Sequence, residues 1–183
     1  MKNANQFTLE VFDKNPNKNY PEITGYYGLE NNNFEILFHI IQTSNEVLWP
    51  SPLSEKGTRK DELWKSTCFE IFIARNETTE YREYNFSPNG DWNSYDFSDY
   101  RQNMQPADIT EAPQIKFDLE SNDMHLMSVT LKTDSLPYPN SRPLKIGISA
   151  VLKYVDGQHV YYALTHCGSE ANFHLRESFV MSI

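Results

Sequence analysis

Hydrophobic and polar residues alternate along this chain in short runs, the period of a half-buried strand. Gln6–Phe12 sets Phe7, Leu9 and Val11 against polar neighbours, and Phe34–Ile41 puts Phe34, Ile36, Phe38 and Ile40 on one side. Further strands are predicted over Thr67–Ala74, Tyr81–Ser87, Trp92–Tyr100, Ile115–Leu119, His125–Lys132, Leu144–Tyr154, His159–Thr165 and Phe179–Ile183. No long window carries a 3.6-residue apolar stripe, so no long helix is predicted. Short strands separated by turn residues predict an all-β protein, an antiparallel sandwich or barrel. Two segments, 14–33 and 43–64, read as long loops; the second carries Trp49, Pro50, Arg59 and Trp64. A length of 183 residues predicts one domain over 1–183.

Residues 67–100 carry the chemistry. Asn89-Gly90 is the preferred pair for a two-residue hairpin loop, because both positions need positive φ. That turn sets Ser87 against Trp92, Asn85 against Ser94 and Glu83 against Asp96. Matching apolar positions across the preceding strand sets Phe69 against Tyr84 and Glu70 against Glu83. The core face then holds Phe69, Ile71, Ile73, Tyr84, Phe86, Tyr95 and Phe97. The opposite face holds Cys68, Glu70, Phe72, Tyr81, Glu83, Asn85, Ser87, Trp92, Ser94 and Asp96. Carboxylates, an amide, hydroxyls and large rings on one face suit a sugar, which has apolar CH faces and a polar edge. Trp92 is the expected stacking platform, while Trp49 and Trp64 read either as rings that pin a long loop to the sheet or as further platforms.

Glu70, Glu83 and Asp96 would form one row, and like charges directly opposite destabilise a sheet. The row needs a cation, a shared proton, a metal or open water. The candidate cations are Arg59, Arg101, His166 and His174. A guanidinium fork can bridge two carboxylates, so Arg101 first and Arg59 second are expected to hold Glu70 and Glu83.

Composition narrows the partners. With 25 acidic against 16 basic residues and a net charge of −9, nucleic acid is not expected. No apolar stretch approaches a membrane span, and MKNANQFTLEVF has no secretory pattern, so a cytoplasmic location is expected. Cys68 and Cys167 then read as reduced thiols, one disulfide being the rival reading. No catalytic signature emerges: there is no GxSxG, phosphate loop or dinucleotide fingerprint. The chemistries weighed beside sugar binding are a haem or metal carrier, a hydrolase using Glu70 and Glu83, and an interaction domain without a small ligand. Haem could take an axial His or Met, and calcium could take the carboxylate row, but no cofactor is assigned. The oligomeric state is not legible.

The runs Asp61-Glu62-Leu63-Trp64-Lys65-Ser66-Thr67-Cys68-Phe69-Glu70-Ile71-Phe72-Ile73 and Tyr81-Arg82-Glu83-Tyr84-Asn85-Phe86-Ser87-Pro88, with Trp92, Tyr100-Arg101 and Asn172-Phe173-His174, resemble the DOMON-like domains. These are related to the family 9 carbohydrate-binding modules. The resemblance runs from about residue 7 to the end and is most specific between Trp64 and Arg101. It implies an antiparallel β-sandwich of jelly-roll type that binds sugar or haem on the concave face of one sheet, a sugar being held between Trp rings and polar side chains. Together with the mixed face and its candidate cations, it points to a non-enzymatic module for a small carbohydrate or sugar derivative, and the candidate binding residues are Trp64, Glu70, Tyr81, Glu83, Asn85, Trp92, Asp96, Arg101, Arg59, His166 and His174.

Overall fold

The computed structural model describes residues 4–42, 46–51, 57–119, 121, 123–139, 141 and 143–183. In chain order its strands are β1 (Asn5–Val11), β2 (Glu22–Glu30), β3 (Asn33–Ile41), β4 (Cys68–Arg75), β5 (Tyr81–Phe86) and β6 (Trp92–Phe97). They continue with β7 (Gln105–Pro106), β8 (Gln114–Leu119), β9 (Met124–Lys132), β10 (Leu144–Lys153), β11 (His159–Ala163) and β12 (Met181–Ser182). Helical structure among the described residues is confined to 3₁₀ turns at Leu63–Lys65, Thr133–Ser135 and Arg176–Ser178.

Every strand pair is antiparallel, and the strands form two layers. The first runs β1-β2-β3-β9-β8, the second β7-β6-β5-β4-β10, with β11 and β12 on the far side of β10. β1 belongs to both: Asn5–Leu9 pair with β2, and Glu10 and Val11 pair with β11. Between the layers lie Phe7, Phe34, Ile36, Phe38 and Ile40 from one side and Phe69, Ile71, Ile73, Tyr84 and Phe86 from the other. Phe38 meets Phe69 across the gap at 4.8 Å between centroids. Each such side chain, once buried, contributes about 1.5–3 kcal/mol. The architecture is an antiparallel β-sandwich, one of the two all-β forms that the alternation predicted.

Three expectations are corrected. Segment 14–33 is not all loop, because β2 fills Glu22–Glu30. It pairs with β3 through a tight turn in which Asn31 and Asn32 take φ of 49° and 60°. Asn tolerates the left-handed region that such hairpin turns demand. In segment 43–64, positions 43–45 and 52–56 lie outside the described residues. Of the rest, Val47 bridges Tyr154, and Trp49 packs at 5.0 Å from both Phe117 and His125.

The second correction is a two-residue shift between β4 and β5: Phe69 faces Phe86 and Glu70 faces Asn85. An even shift keeps side chains on their predicted faces. The third is a one-residue slip between β5 and β6, which pairs Glu83 with Tyr95 and Phe86 with Trp92. Its cause is the turn. The Gly90 amide donates to the Ser87 carbonyl and the Ser87 amide to the Asp91 carbonyl, so Pro88-Asn89-Gly90 is a three-residue loop. Pro88 presets φ at the second position of a type I turn, and Gly90 takes φ 92° in the bulge that follows. An odd slip turns β6 over, so Trp92, Ser94 and Asp96 share a face with Phe69, while Tyr95 and Phe97 join Glu70 and Glu83.

Candidate functional site

The outer face of the second sheet carries a cleft of about 740 Å³. β4 and β5 supply Glu70 and Glu83, β6 supplies Phe97, β10 Val151 and β11 Tyr161. Loops complete the walls with Phe12, Trp64, Arg101, Met104, Phe173 and His174. Ser169, Glu170 and Ala171 complete the lining. Beneath it lies a second apolar cluster of Phe72, Ala74, Tyr81, Tyr95, Phe97 and Phe179, with Trp64 and Phe173 packed against it.

Glu70 and Glu83 are diagonal neighbours, because Glu70 faces Asn85 and Glu83 faces Phe72. That stagger avoids placing like charges directly opposite. They are 3 % and 5 % exposed. The Asn85 Nδ2 donates to Glu83 Oε1 at 2.7 Å, and the Ser149 hydroxyl donates to Glu70 Oε2 at 3.2 Å. Burial, with the neighbouring Glu83, raises Glu70 well above the ordinary carboxylate range. Burial likewise pushes Glu83 up to about 7, against the opposing pull of Asn85 and Arg101.

Tyr81 and His174 brace one wall. Tyr81 stacks on Phe97 at 4.8 Å and 8°. Its hydroxyl accepts from the Arg101 amide at 3.2 Å and lies 2.7 Å from His174 Nδ1. Assigned from this network, the hydroxyl donates to Nδ1 and the imidazole proton sits on Nε2, which faces Glu83 Oε2 at 3.8 Å. Such a separation makes an ion pair only for an imidazolium. Burial, and then the nearby Arg101, hold His174 down at about 3, so the ring is neutral.

The predicted residues therefore divide. Trp64, Glu70, Glu83, Arg101 and His174 line the cleft, with Tyr81 and Asn85 directly behind them. Trp64 meets Tyr95 edge-on at 5.9 Å. Arg101 is exposed at the rim, where φ of 51° starts a turn. It lowers the carboxyl values from a distance, but no ion pair within 4 Å joins it to Glu70 or Glu83 among the described residues.

Four predicted residues lie elsewhere. Trp92 is buried in the inter-sheet core, with the Arg59 guanidinium over its ring at 5.3 Å. Arg59 donates to Asn93 Oδ1 and to the Ser94 and Ala107 carbonyls, so it fastens the β6 edge and does not hold the carboxyls. Asp96 takes a two-point pair from Arg82 at 2.6 and 2.8 Å on the same side as Trp92. His166 donates from Nε2 to the Glu10 carbonyl at 2.8 Å and rests edge-on against Phe12 at 5.1 Å. It supports the cleft wall from behind.

Sequence reasoning missed Phe12, Phe97, Tyr161 and Phe173 as walls and Ser149 as a floor partner. Phe97 was lost with the β6 slip. Pro88 was the signal that could have recovered it, by favouring the three-residue loop. Both cysteines are free, Cys68 buried beside Asn85 and Cys167 exposed. Among the described residues no group of three or more His, Cys, Asp or Glu is placed to hold a metal ion.

No family model and no curated protein matches this chain in sequence. Solved structures do resemble it. A candidate carbohydrate-binding protein from Bacteroides uniformis superposes with TM-score 0.69 at 9% identity, over 96% of this chain and 84% of that one. A family 9 carbohydrate-binding module from Caldicellulosiruptor kristjanssonii, in complex with cellotriose, superposes with TM-score 0.57 at 9% identity, over 89% of this chain and 73% of the module. The chain thus shares its antiparallel β-sandwich fold with a family 9 carbohydrate-binding module.

Proposed function

We propose that this protein is a non-enzymatic carbohydrate-binding module of the DOMON-like kind, taking a small sugar or sugar derivative in the cleft on the second sheet. The carrying observation is the combination of Trp64, Phe97, Tyr161 and Phe173 around two buried carboxyls on one concave surface. The rings offer faces for CH groups, and the carboxyl oxygens accept from hydroxyls. The fold, shared with a module bound to cellotriose, supports the same reading. Glu83, raised to about 7, favours a second reading as a hydrolase with Glu70, since a general acid must hold its proton near neutrality.

Calorimetric titration with mono-, di- and trisaccharides tests the proposal, and Trp64→Ala is expected to weaken the best sugar by about tenfold, roughly 1.4 kcal/mol. The melting temperature of that variant should stay near the parent's, since Trp64 is only half-buried. No heat with any sugar at millimolar concentration would sink the carbohydrate reading. Release of reducing ends during the same titrations would favour the hydrolase.

A further inference from the structure

Two buried carboxyls share the cleft floor with no Arg or Lys within ion-pair distance among the described residues. Each carboxyl has one oxygen engaged, Glu83 Oε1 by Asn85 and Glu70 Oε2 by Ser149. Glu70 Oε1 has no hydrogen-bond partner among the described residues, and Glu83 Oε2 has only His174 Nε2, at 3.8 Å. Both side chains are more than nine-tenths buried and line the cleft, so these two oxygens are the acceptors left for an occupant. The surrounding groups bring little charge to them. His174 is neutral, and the Arg101 guanidinium stands at the rim beyond ion-pair distance.

Two kinds of sugar substituent would meet this floor differently. A hydroxyl brings donors without charge, and it would cover the carboxyls in their protonated form, gaining only neutral hydrogen bonds. An ammonium brings three donors and a full positive charge, which would draw the protons off these two raised carboxyls and pair with the carboxylates left behind, and it matches two open acceptors on diagonal residues. The rings of Trp64, Phe97 and Phe173 add quadrupole attraction for a cation. A net charge of −9 draws cations toward the molecule as a whole.

We propose that the carbohydrate recognised in this cleft carries a primary amine, with the ammonium of an amino sugar seated between Glu70 and Glu83. The inference rests on the carbohydrate reading above and narrows its ligand class.

Three probes with the same ring separate the two claims: glucosamine, N-acetylglucosamine and glucose, together with their β-1,4-linked trisaccharides, titrated by calorimetry at about pH 7. The amine forms are expected to bind at least about tenfold more tightly than the acetylated and hydroxyl forms. Raised salt should erode that preference. Glu70→Gln with Glu83→Gln keeps shape and hydrogen-bonding capacity and should abolish it, with melting curves confirming that the variant folds. Equal affinity for all three forms would overturn the amine and leave the carbohydrate reading standing. A preference that survives the double variant would place the amine elsewhere and also overturn the proposal. Binding of none of the probes would overturn both readings.

Discussion

Glu83→Gln is expected to melt higher than the parent at about pH 8 while losing most of its sugar affinity. Burial raises the Glu83 carboxyl from 4.5 to about 7 in the folded protein. Between those values the folded state holds a proton that the unfolded chain has released. Stability from this group therefore falls as pH rises through that window and stays low above it. A shift of this size corresponds to on the order of 3 kcal/mol, or roughly 5–10 °C in melting temperature for a chain of this length. The gain should shrink as pH falls through that window and vanish below about pH 4, where Glu83 is protonated in both states. His174 works in the opposite direction, since its value is lowered from 6.5 to about 3 and stability rises with pH between the two. Parent and variant share that contribution, and because Glu83 also helps to raise Glu70, their difference reports the carboxyl pair. Identical melting profiles across pH would mean that Glu83 is solvated and the floor assignment is wrong.

Tyr81→Ala should carry the largest stability loss of any single change at the cleft. The side chain is 1% exposed, stacks on Phe97, contacts Phe72 and Phe179 at ring distance, and ties the Arg101 turn to His174 through its hydroxyl. Truncating a buried aromatic costs about 3–5 kcal/mol. Tyr81→Phe keeps the ring and removes the hydroxyl, which frees His174 Nδ1 and the Arg101 amide together, so about 1–2 kcal/mol is expected. Urea unfolding of both variants checks this, and a loss below about 1 kcal/mol for Tyr81→Ala would show that the second apolar cluster does not support the cleft.

The faces of β4 and β5 were legible because side-chain parity is set by burial. Phe69, Ile71 and Ile73 on one side leave Glu70 and Phe72 on the other whatever the exact pairing. A two-residue error in register therefore still left Glu70, Glu83 and Asn85 on one face. β6 was not legible for the same reason in reverse. Trp92, Tyr95 and Phe97 break alternation, so its pattern could not decide between two- and three-residue loops, and the familiar Asn89-Gly90 pair decided wrongly. β2 was hidden because Gly25, Tyr26, Tyr27 and Gly28 dilute its alternation, although Ile23 and Tyr27 are buried and Asn31-Asn32 marks its turn. The loop-borne walls, Phe12 and Phe173 among them, depend on tertiary placement that no local pattern encodes.

Tryptophan indole signals give the most direct test of where the ligand sits, because the three rings report three places. Trp64 lines the cleft, Trp49 packs against Phe117 and His125, and Trp92 is sealed in the inter-sheet core. In a ¹H–¹⁵N spectrum recorded while the best-binding sugar is added, the Trp64 indole N–H should shift progressively to saturation, and those of Trp49 and Trp92 should stay in place. A saturable shift at Trp49 or Trp92 with Trp64 unmoved would contradict the assignment of this cleft as the binding site.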